Sequence, residues 1–590
     1  MKIVLAQQNY HIGNFEYNTQ KIIEAIGAAE KMGADLVVFS ELCVCGYPPR
    51  DFVEFNDFIN KCYESIDRIA SHTGNIGVVV GSPARNPSKE GKDLFNAAWL
   101  LHEKQIKAIV AKTCLPTYDV FDEYRYFEPA YDWKTVRFKD RNLAITVCED
   151  IWNLGDNPLY RFCPMDKLVD QRPDVMINLS ASPFDYDHDD DRKEIIRSNV
   201  IKYKLPMVYC NAVGSQTEIV FDGGSLVFDQ KGKLIKELKY FEEDLQMVEL
   251  PPHTWPEDDE TVNRSAAAGW PADEKVSVPG HHTAQEQYNR PMQVSKVKDP
   301  EKIIGYLTEE KNIAEIKQAL LLGIRDYFSK MGFSKAILGS SGGIDSAVTL
   351  VLACEALGKD NVRAVLMPSQ FSSGHSVSDA EQLSMNLGNP YDIISIENIY
   401  HSFLDALRPV FKNAPFNVAE ENLQSRTRGN LLMAIANKFG YILLNTSNKS
   451  ELATGYGTLY GDMAGGLSVL GDVYKMQVYA LAKYLNKQQE IIPRNIIEKA
   501  PSAELREGQK DSDSLPEYPL LDKVLYQYIE RRQGPKEIIG MGIEKALVDK
   551  VLKLVNTNEY KRNQFCPIIR VSSKAFGVGR RVPIVGKYLG

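Results

Sequence analysis

The chain reads as an α/β protein of two layered domains, and three observations carry that reading. Residues 1–250 alternate short β-rich apolar runs with amphipathic stretches. Residues 251–300 break the alternation: Pro251, Pro252, Pro256, Pro271, Pro279, Pro291 and Pro300 punctuate a polar, acidic segment, which reads as a linker or an excursion over the surface. From residue 301 to the end the periodicity resumes. A strand, a glycine-rich loop, a helix and a second strand there point to a doubly wound parallel sheet.

Taken in order, strands are predicted at 2–7, 35–40, 76–81, 97–101, 143–148, 175–179, 207–211 and 226–228. Helices are predicted at 18–32, 55–71 and 191–204. In the second half, 313–328 has the spacing of an amphipathic helix. It is followed by a strand at 336–338, a helix at 347–357 and a strand at 363–367.

Composition excludes several classes. Hydrophobic residues make up 44% and charged residues 25%, as in ordinary soluble proteins. The net charge of −9 argues against a general nucleic-acid binder. Nine cysteines with no CxxC pair give neither a disulfide framework nor a zinc signature. The opening residues are strand-like and soon polar, unlike a signal peptide, and no apolar run approaches the ~20 residues of a membrane span. The expected location is the cytoplasm.

The most informative run is Gly339-Ser340-Ser341-Gly342-Gly343-Ile344-Asp345-Ser346. Two glycines let the backbone approach an anion, serines add donors, and a helix N-terminus adds N–H groups and a positive dipole end. Asp345 is out of place beside an anion unless a cation comes too, so ATP with Mg²⁺ is the expected guest. The run lacks Walker spacing. It resembles the SGGxDS loop of the ATP pyrophosphatases, which release pyrophosphate and leave AMP on an acyl or carbonyl oxygen. That fold is an adenine-nucleotide α-hydrolase-like sheet.

Three polar residues end strand-like runs in the first half: Glu41, Lys112 and Cys148. A cysteine at a sharp strand exit can attack an amide carbon, Glu41 can take its proton, and Lys112 can hold the oxyanion and favour the thiolate. Their surroundings are Phe39-Ser40-Glu41-Leu42, Lys112-Thr113-Cys114-Leu115-Pro116 and Cys148-Glu149-Asp150-Ile151-Trp152. These resemble the nitrilase superfamily over residues 1–250. The resemblance implies an αββα sandwich and amide hydrolysis, with Glu41 as base, Lys112 on the oxyanion, Cys148 as nucleophile and Glu123 as a supporting acid. It implies that Tyr118 and Ser182 hold a substrate glutamine. The position often basic in relatives is His188 here, inside an acidic run.

In the second half, Thr446 and Glu451 follow the apolar run 441–444. Thr446 can donate to a nucleotide; Glu451 can ligate Mg²⁺ or hold a substrate hydroxyl. A glycine-rich segment ends at Asp462, Lys475 can neutralise phosphate, and Asn422, Arg426 and Arg428 share a polar stretch. With Pro501-Ser502-Ala503-Glu504-Leu505-Arg506, these segments resemble the NAD synthetase family. That implies ATP at 339–346 and Thr446, deamido-NAD at Asn422, Glu451, Asp462 and Lys561, and Asp345 as the leading Mg²⁺ ligand. The two halves together resemble the glutamine-dependent members, which implies ammonia transfer between sites and a homo-oligomer, often an octamer. The basic stretch 574–581 reads as an irregular tail or as a second phosphate neighbour.

Overall fold

The computed structural model describes residues 1–154, 159–186, 188–255, 299–412 and 414–588, with backbone only at 188–190. Most of the predicted excursion at 251–300 lies outside the described residues. The chain divides into two compact units, Met1–Gln216 with Phe221–Val294, and Thr217–Val220 with Ser295–Gly590.

In the first unit the strands are β1 (Lys2–Gln7), β2 (Leu36–Val38), β3 (Gly77–Arg85), β4 (Leu94–His102), β5 (Gln105–Ala111), β6 (Val136–Phe138), β7 (Arg141–Val147), β8 (Val175–Ser180), β9 (Met207–Asn211), β10 (Val213–Gln216), β11 (Ile219–Asp222), β12 (Leu226–Phe228), β13 (Leu234–Glu237) and β14 (Asp244–Glu249). They form two six-stranded sheets, ordered β14-β1-β2-β3-β4-β5 and β13-β12-β9-β8-β7-β6, and a β10-β11 pair. Strand alternation decides the layers. Ile3, Leu5, Val38, Val79 and Leu100 face Leu143, Ile145, Ile177, Leu179 and Val208 between the sheets. On the outer face of the first sheet, Val4, Ala6, Val37 and Trp99 meet the helices Phe15–Lys31 and Asn56–Ser71 through Ile22, Ile26, Ile66 and Ile69. On the outer face of the second, Met176 and Met207 meet the helix His188–Tyr203 through Ile196 and Val200. The result is the αββα sandwich. Each fully buried aliphatic chain contributes about 1.5–3 kcal/mol.

The predicted strands and helices are present with ends shifted by a few residues. Strands β6, β10, β11, β13 and β14 were not expected. They are short or edge strands, and β14 shows no inside–outside alternation.

The second unit holds a wholly parallel five-stranded sheet of β15 (Ala336–Gly339), β16 (Val362–Leu366), β17 (Tyr391–Ile393), β18 (Ile442–Asn445) and β19 (Leu467–Ser468), ordered β17-β16-β15-β18-β19. Ile337, Val365 and Leu443 pack against Leu432 and Ala436 of the helix Val418–Phe439. The helices Glu310–Met331, Ile344–Leu357 and Lys475–Leu485 pack on one another. The chain leaves β15 toward β16 and later returns to its other side as β18, so the carboxyl ends of β15 and β18 flank a topological switch point.

The basic tail folds onto its own unit: the Arg580 guanidinium lies 2.6 Å from Glu559 and 5.5 Å from the centre of the Phe576 ring. Among the described residues no helix is long and apolar enough to cross a membrane, and all nine cysteines are free.

Candidate functional site

Glu41, Lys112 and Glu123 come from three separate stretches and meet in the first unit with almost no solvent. The Lys112 ammonium donates to Glu41 Oε1 at 2.7 Å and to both oxygens of Glu123 at 2.9 Å. Glu41 Oε2 accepts from the Ala181 N–H at 3.0 Å, and Tyr47 donates to Glu123 Oε1 at 2.7 Å. Asn96, next to Lys112 across the β4–β5 ladder, donates to Glu41 Oε1 at 2.7 Å and to Glu123 Oε2 at 3.1 Å. Burial alone would lower the lysine's pKa; the Glu123 and Glu41 carboxylates outweigh it and hold it well above the ordinary value. Burial raises Glu123, opposed by Lys112.

Cys148 follows the last residue of β7 with φ of +42°, a left-handed conformation unusual for a residue with a Cβ. Asp150 holds this turn. Its carboxylate accepts from the N–H groups of Val147 at 3.0 Å, Thr113 at 3.0 Å and Cys114 at 2.8 Å, tying the turn to the chain just beyond Lys112. Lys112 favours the thiolate as expected, but the thiol's pKa is raised well above the ordinary value all the same. Burial is the largest cause and the Glu41 charge the next; Lys112 pulls the other way but is already neutralised by two acids.

Tyr118 meets Glu149, the residue after Cys148. Its hydroxyl donates at 3.0 and 2.9 Å to the two carboxylate oxygens, and Tyr160 adds a third bond at 3.2 Å. Burial pushes Glu149 up to about 7. Ser182 is buried, and its N–H donates to Asn211 at 2.9 Å. The His188 side chain lies outside the described residues.

In the second unit the loop 339–346 opens the helix Ile344–Leu357 at the end of β15. Gly342 has φ of +76°, and a Cβ there would meet the Ser376 carbonyl at 2.2 Å, so only glycine fits. The loop lines a cavity of about 310 Å³ with Thr446, Glu451, Asp462 and Lys475. Lys475 bridges Asp345 at 2.5 Å and Glu451 at 3.4 Å, and Asn448 donates to Asp345 at 2.9 Å. Burial and the Asp345 charge push Glu451 up to about 8. The helix Lys449–Thr454 that carries Glu451 is fixed from behind: Lys449, fully buried, reaches Glu530 at 2.8 Å, Asp472 at 2.9 Å and Ser572 at 2.7 Å.

The remaining expected residues gather on the 455–462 loop. Lys561 donates to the carbonyls of Gly455 at 2.7 Å and Gly457 at 2.8 Å. Asn422 accepts from Thr458 at 2.7 Å, and Asp462 accepts from the Thr458 N–H at 2.6 Å. Asp462 lines the cavity; Asn422 and Lys561 stand behind its wall. Two hard carboxylates beside one lysine suit Mg²⁺ accompanied by phosphate oxygens and water. Among the described residues no group of three or more His, Cys, Asp or Glu side chains could hold a metal without such help.

Sequence reasoning missed Asn96, Glu149 and Arg428. Arg428 lines the cavity and donates to the Met367 carbonyl at 3.0 Å, where a solvated basic patch was one reading. The signal for Asn96 was an amide inside the apolar run 94–101.

Comparison with known proteins agrees with this division. The carbon-nitrogen hydrolase family matches residues 2–258, and the NAD synthase family matches residues 316–565. The glutamine-dependent NAD(+) synthetase of Synechocystis sp. is 42% identical over 589 residues, covering 99% of this chain and 98% of that protein. That of Thermotoga maritima is 39% identical, covering 100% and 99%. The glutamine-dependent NAD+ synthetase of Acinetobacter baumannii, solved with adenosine diphosphate, superposes with a TM-score of 0.71 at 36% identity, covering 99% and 98%.

Proposed function

The chain belongs to the glutamine-dependent NAD(+) synthetase family, and from that premise we propose how its residues divide the reaction. It is a carbon–nitrogen ligase: it adenylates deamido-NAD with ATP, releases pyrophosphate, and amidates the product with glutamine nitrogen, giving NAD, AMP and glutamate. We assign glutamine hydrolysis to residues 1–250 and amide synthesis to residues 301–590. The observation that carries the reading is the Glu41–Lys112–Glu123 cluster beside Cys148.

Glutamine's side-chain amide is attacked by Cys148. Burial and the Glu41 charge hold the thiol's pKa up, so its proton is assigned to pass to Glu41 as the S–C bond forms. Lys112 N–H steadies the tetrahedral oxyanion. The proton then passes to the leaving nitrogen, ammonia departs, and a thioester remains on Cys148. Glu41 next takes a proton from water as the water oxygen attacks the thioester carbon; the C–S bond then breaks, the proton passes to the Cys148 sulfur, and glutamate leaves. Tyr118, Glu149, Ser182 and His188 are assigned to holding the amino acid. Glu149 is the acid placed to meet its α-ammonium, and Tyr118 fixes that acid by two bonds.

In the second unit the nicotinate carboxylate attacks the α-phosphorus of ATP and pyrophosphate leaves. The loop 339–346, Thr446 and Lys475 are assigned to ATP, and Asn422, Glu451, Asp462 and Lys561 to deamido-NAD. Asp345 and Glu451 would hold Mg²⁺, which when bound screens the phosphate charges. Ammonia then attacks the acyl adenylate and AMP departs. Ammonia is useful only before protonation, so we propose that it passes between sites without mixing with solvent, in a cytoplasmic homo-oligomer.

Incubation with ATP, Mg²⁺, deamido-NAD and amide-¹⁵N glutamine in excess unlabelled ammonium tests this. The expected products are NAD, AMP, pyrophosphate and glutamate, with ¹⁵N retained in NAD. Extensive dilution of the label would overturn the transfer, and failure of C148A to block glutamine use would overturn the nucleophile assignment.

A further inference from the structure

The buried acids of the first unit carry more negative charge than their lysine neutralises. Glu41 and Glu123 both lie within 2.9 Å of the Lys112 ammonium, so two carboxylates share one cation with almost no solvent to screen them. The neutral group that joins the same two acids is Asn96. Its amide nitrogen has two N–H bonds, and the two carboxylates receive one each, Glu41 Oε1 at 2.7 Å and Glu123 Oε2 at 3.1 Å. The orientation is dictated by charge. A flipped amide would aim its carbonyl oxygen at both acids. As placed, that oxygen is buried and finds no hydrogen-bond partner. The site therefore keeps an amide for its donors and leaves its acceptor unused. The main chain of the same residue adds a second tie: the Asn96 carbonyl accepts from the Lys112 N–H at 2.8 Å.

We propose that Asn96 is a positioning residue for glutamine hydrolysis, a neutral clasp that holds the Glu41 and Glu123 carboxylates side by side and keeps Glu41 aimed at Cys148. This deepens the division of labour given above and rests on Glu41 being the base. The donors act where a charged residue would fail. A second lysine would pair fully with Glu41 and quench it as a base, and a third acid would add to the repulsion. Around Glu41, Lys112 and Glu123 the charged and titratable groups are Tyr47, Cys148, Glu149 and Asp150, with Cys114, Tyr118, Tyr160 and Tyr209 beyond them. Two N–H donors stabilise the ionised form of the pair, so without them the pair takes up a proton more readily. The acid limb of the hydrolysis profile then moves to higher pH.

The test is N96L in the full chain, close in size and without donors. Glutamine hydrolysis is followed from pH 5.5 to 9, with ammonia-driven NAD synthesis as the measure of an intact second unit. The expected result is a fall of about 10- to 100-fold in kcat/KM for glutamine, an acid limb moved up by about one pH unit, and unchanged use of ammonia. A wild-type pH profile, whatever the rate, would overturn the proposal, because a merely space-filling residue lowers activity evenly across pH. If N96L loses both activities, N96D decides. It keeps the shape and places a third carboxyl on the pair, so its acid limb must also rise; an unmoved limb overturns the proposal. E41Q separates the two claims: hydrolysis surviving in E41Q removes the parent reading, whereas hydrolysis lost in E41Q with a normal N96L removes only the role of Asn96.

Discussion

Both chemical centres are built around a lysine between two acids, and they use it differently. Lys112 is fully buried; each of its contacts to Glu41 and Glu123 is between 2.7 and 2.9 Å. Lys475 is gripped by Asp345 at 2.5 Å but reaches Glu451 only at 3.4 Å, and those acids keep 17% and 16% of their side-chain surface exposed. The first arrangement is complete before substrate arrives. Its substrate amide is neutral and brings no charge of its own, so the acids and the lysine must already be aimed. The second is left open to a cavity of about 310 Å³. On the proposed assignment, a polyanion and its cation would redistribute those charges on binding. A centre that acts on a neutral group can be closed and dry, whereas one assigned to ATP is served by acids left open to the cavity.

The largest expected effect separates the two centres outright. C148A should lower glutamine-driven NAD synthesis by about 10⁴-fold or more while ammonia-driven synthesis persists, as measured by NAD formation from each nitrogen source. Loss of both with the fold intact would show that the centres are not separable. Next, K475M should cut synthesis about 10²-fold or more from either nitrogen source and leave basal glutamine hydrolysis in place. It also strands two acids, costing about 3–5 kcal/mol in the second unit, readable by denaturant unfolding. An equal loss of hydrolysis would erase the contrast between the lysines.

Y118F sharpens the description of the first centre. It removes the hydroxyl that meets both oxygens of Glu149, and KM for glutamine should rise about tenfold with ammonia use unchanged.

The smallest effect is a change of slope. Glu451 is raised from 4.5 to about 8 by burial and by Asp345. The folded chain therefore holds a proton that the unfolded chain has released, and stability falls as pH rises across that window. In E451Q the midpoint of thermal unfolding should fall less between pH 5 and 8 than in the parent. An identical slope would place the burden on other raised acids such as Asp522 and Glu149, both near 7.

Much of the candidate site was legible because its residues end strands or open helices. Glu41, Lys112 and Cys148 each close an apolar run, and the loop 339–346 sits where a strand meets a helix. Asn96 was legible only as an anomaly, a lone amide in an apolar strand. Glu149 sat beside a marked residue, but nothing local said that two tyrosines would claim it. The edge strands β13 and β14 escaped because both are half-exposed and the residues Leu234-Ile235-Lys236-Glu237 do not alternate apolar with polar.

By itself the sequence determined the two α/β halves, the phosphate loop and the identity of the residues that end the central strands, because these depend on local periodicity and on glycine chemistry. Tertiary structure alone decided the charge states. Lys112 does pull the Cys148 thiol toward the thiolate; burial and the Glu41 charge, which only folding supplies, outweigh it and raise the thiol's pKa. Burial and the sum of surrounding charges are properties of the assembled fold, and no stretch of chain carries them alone.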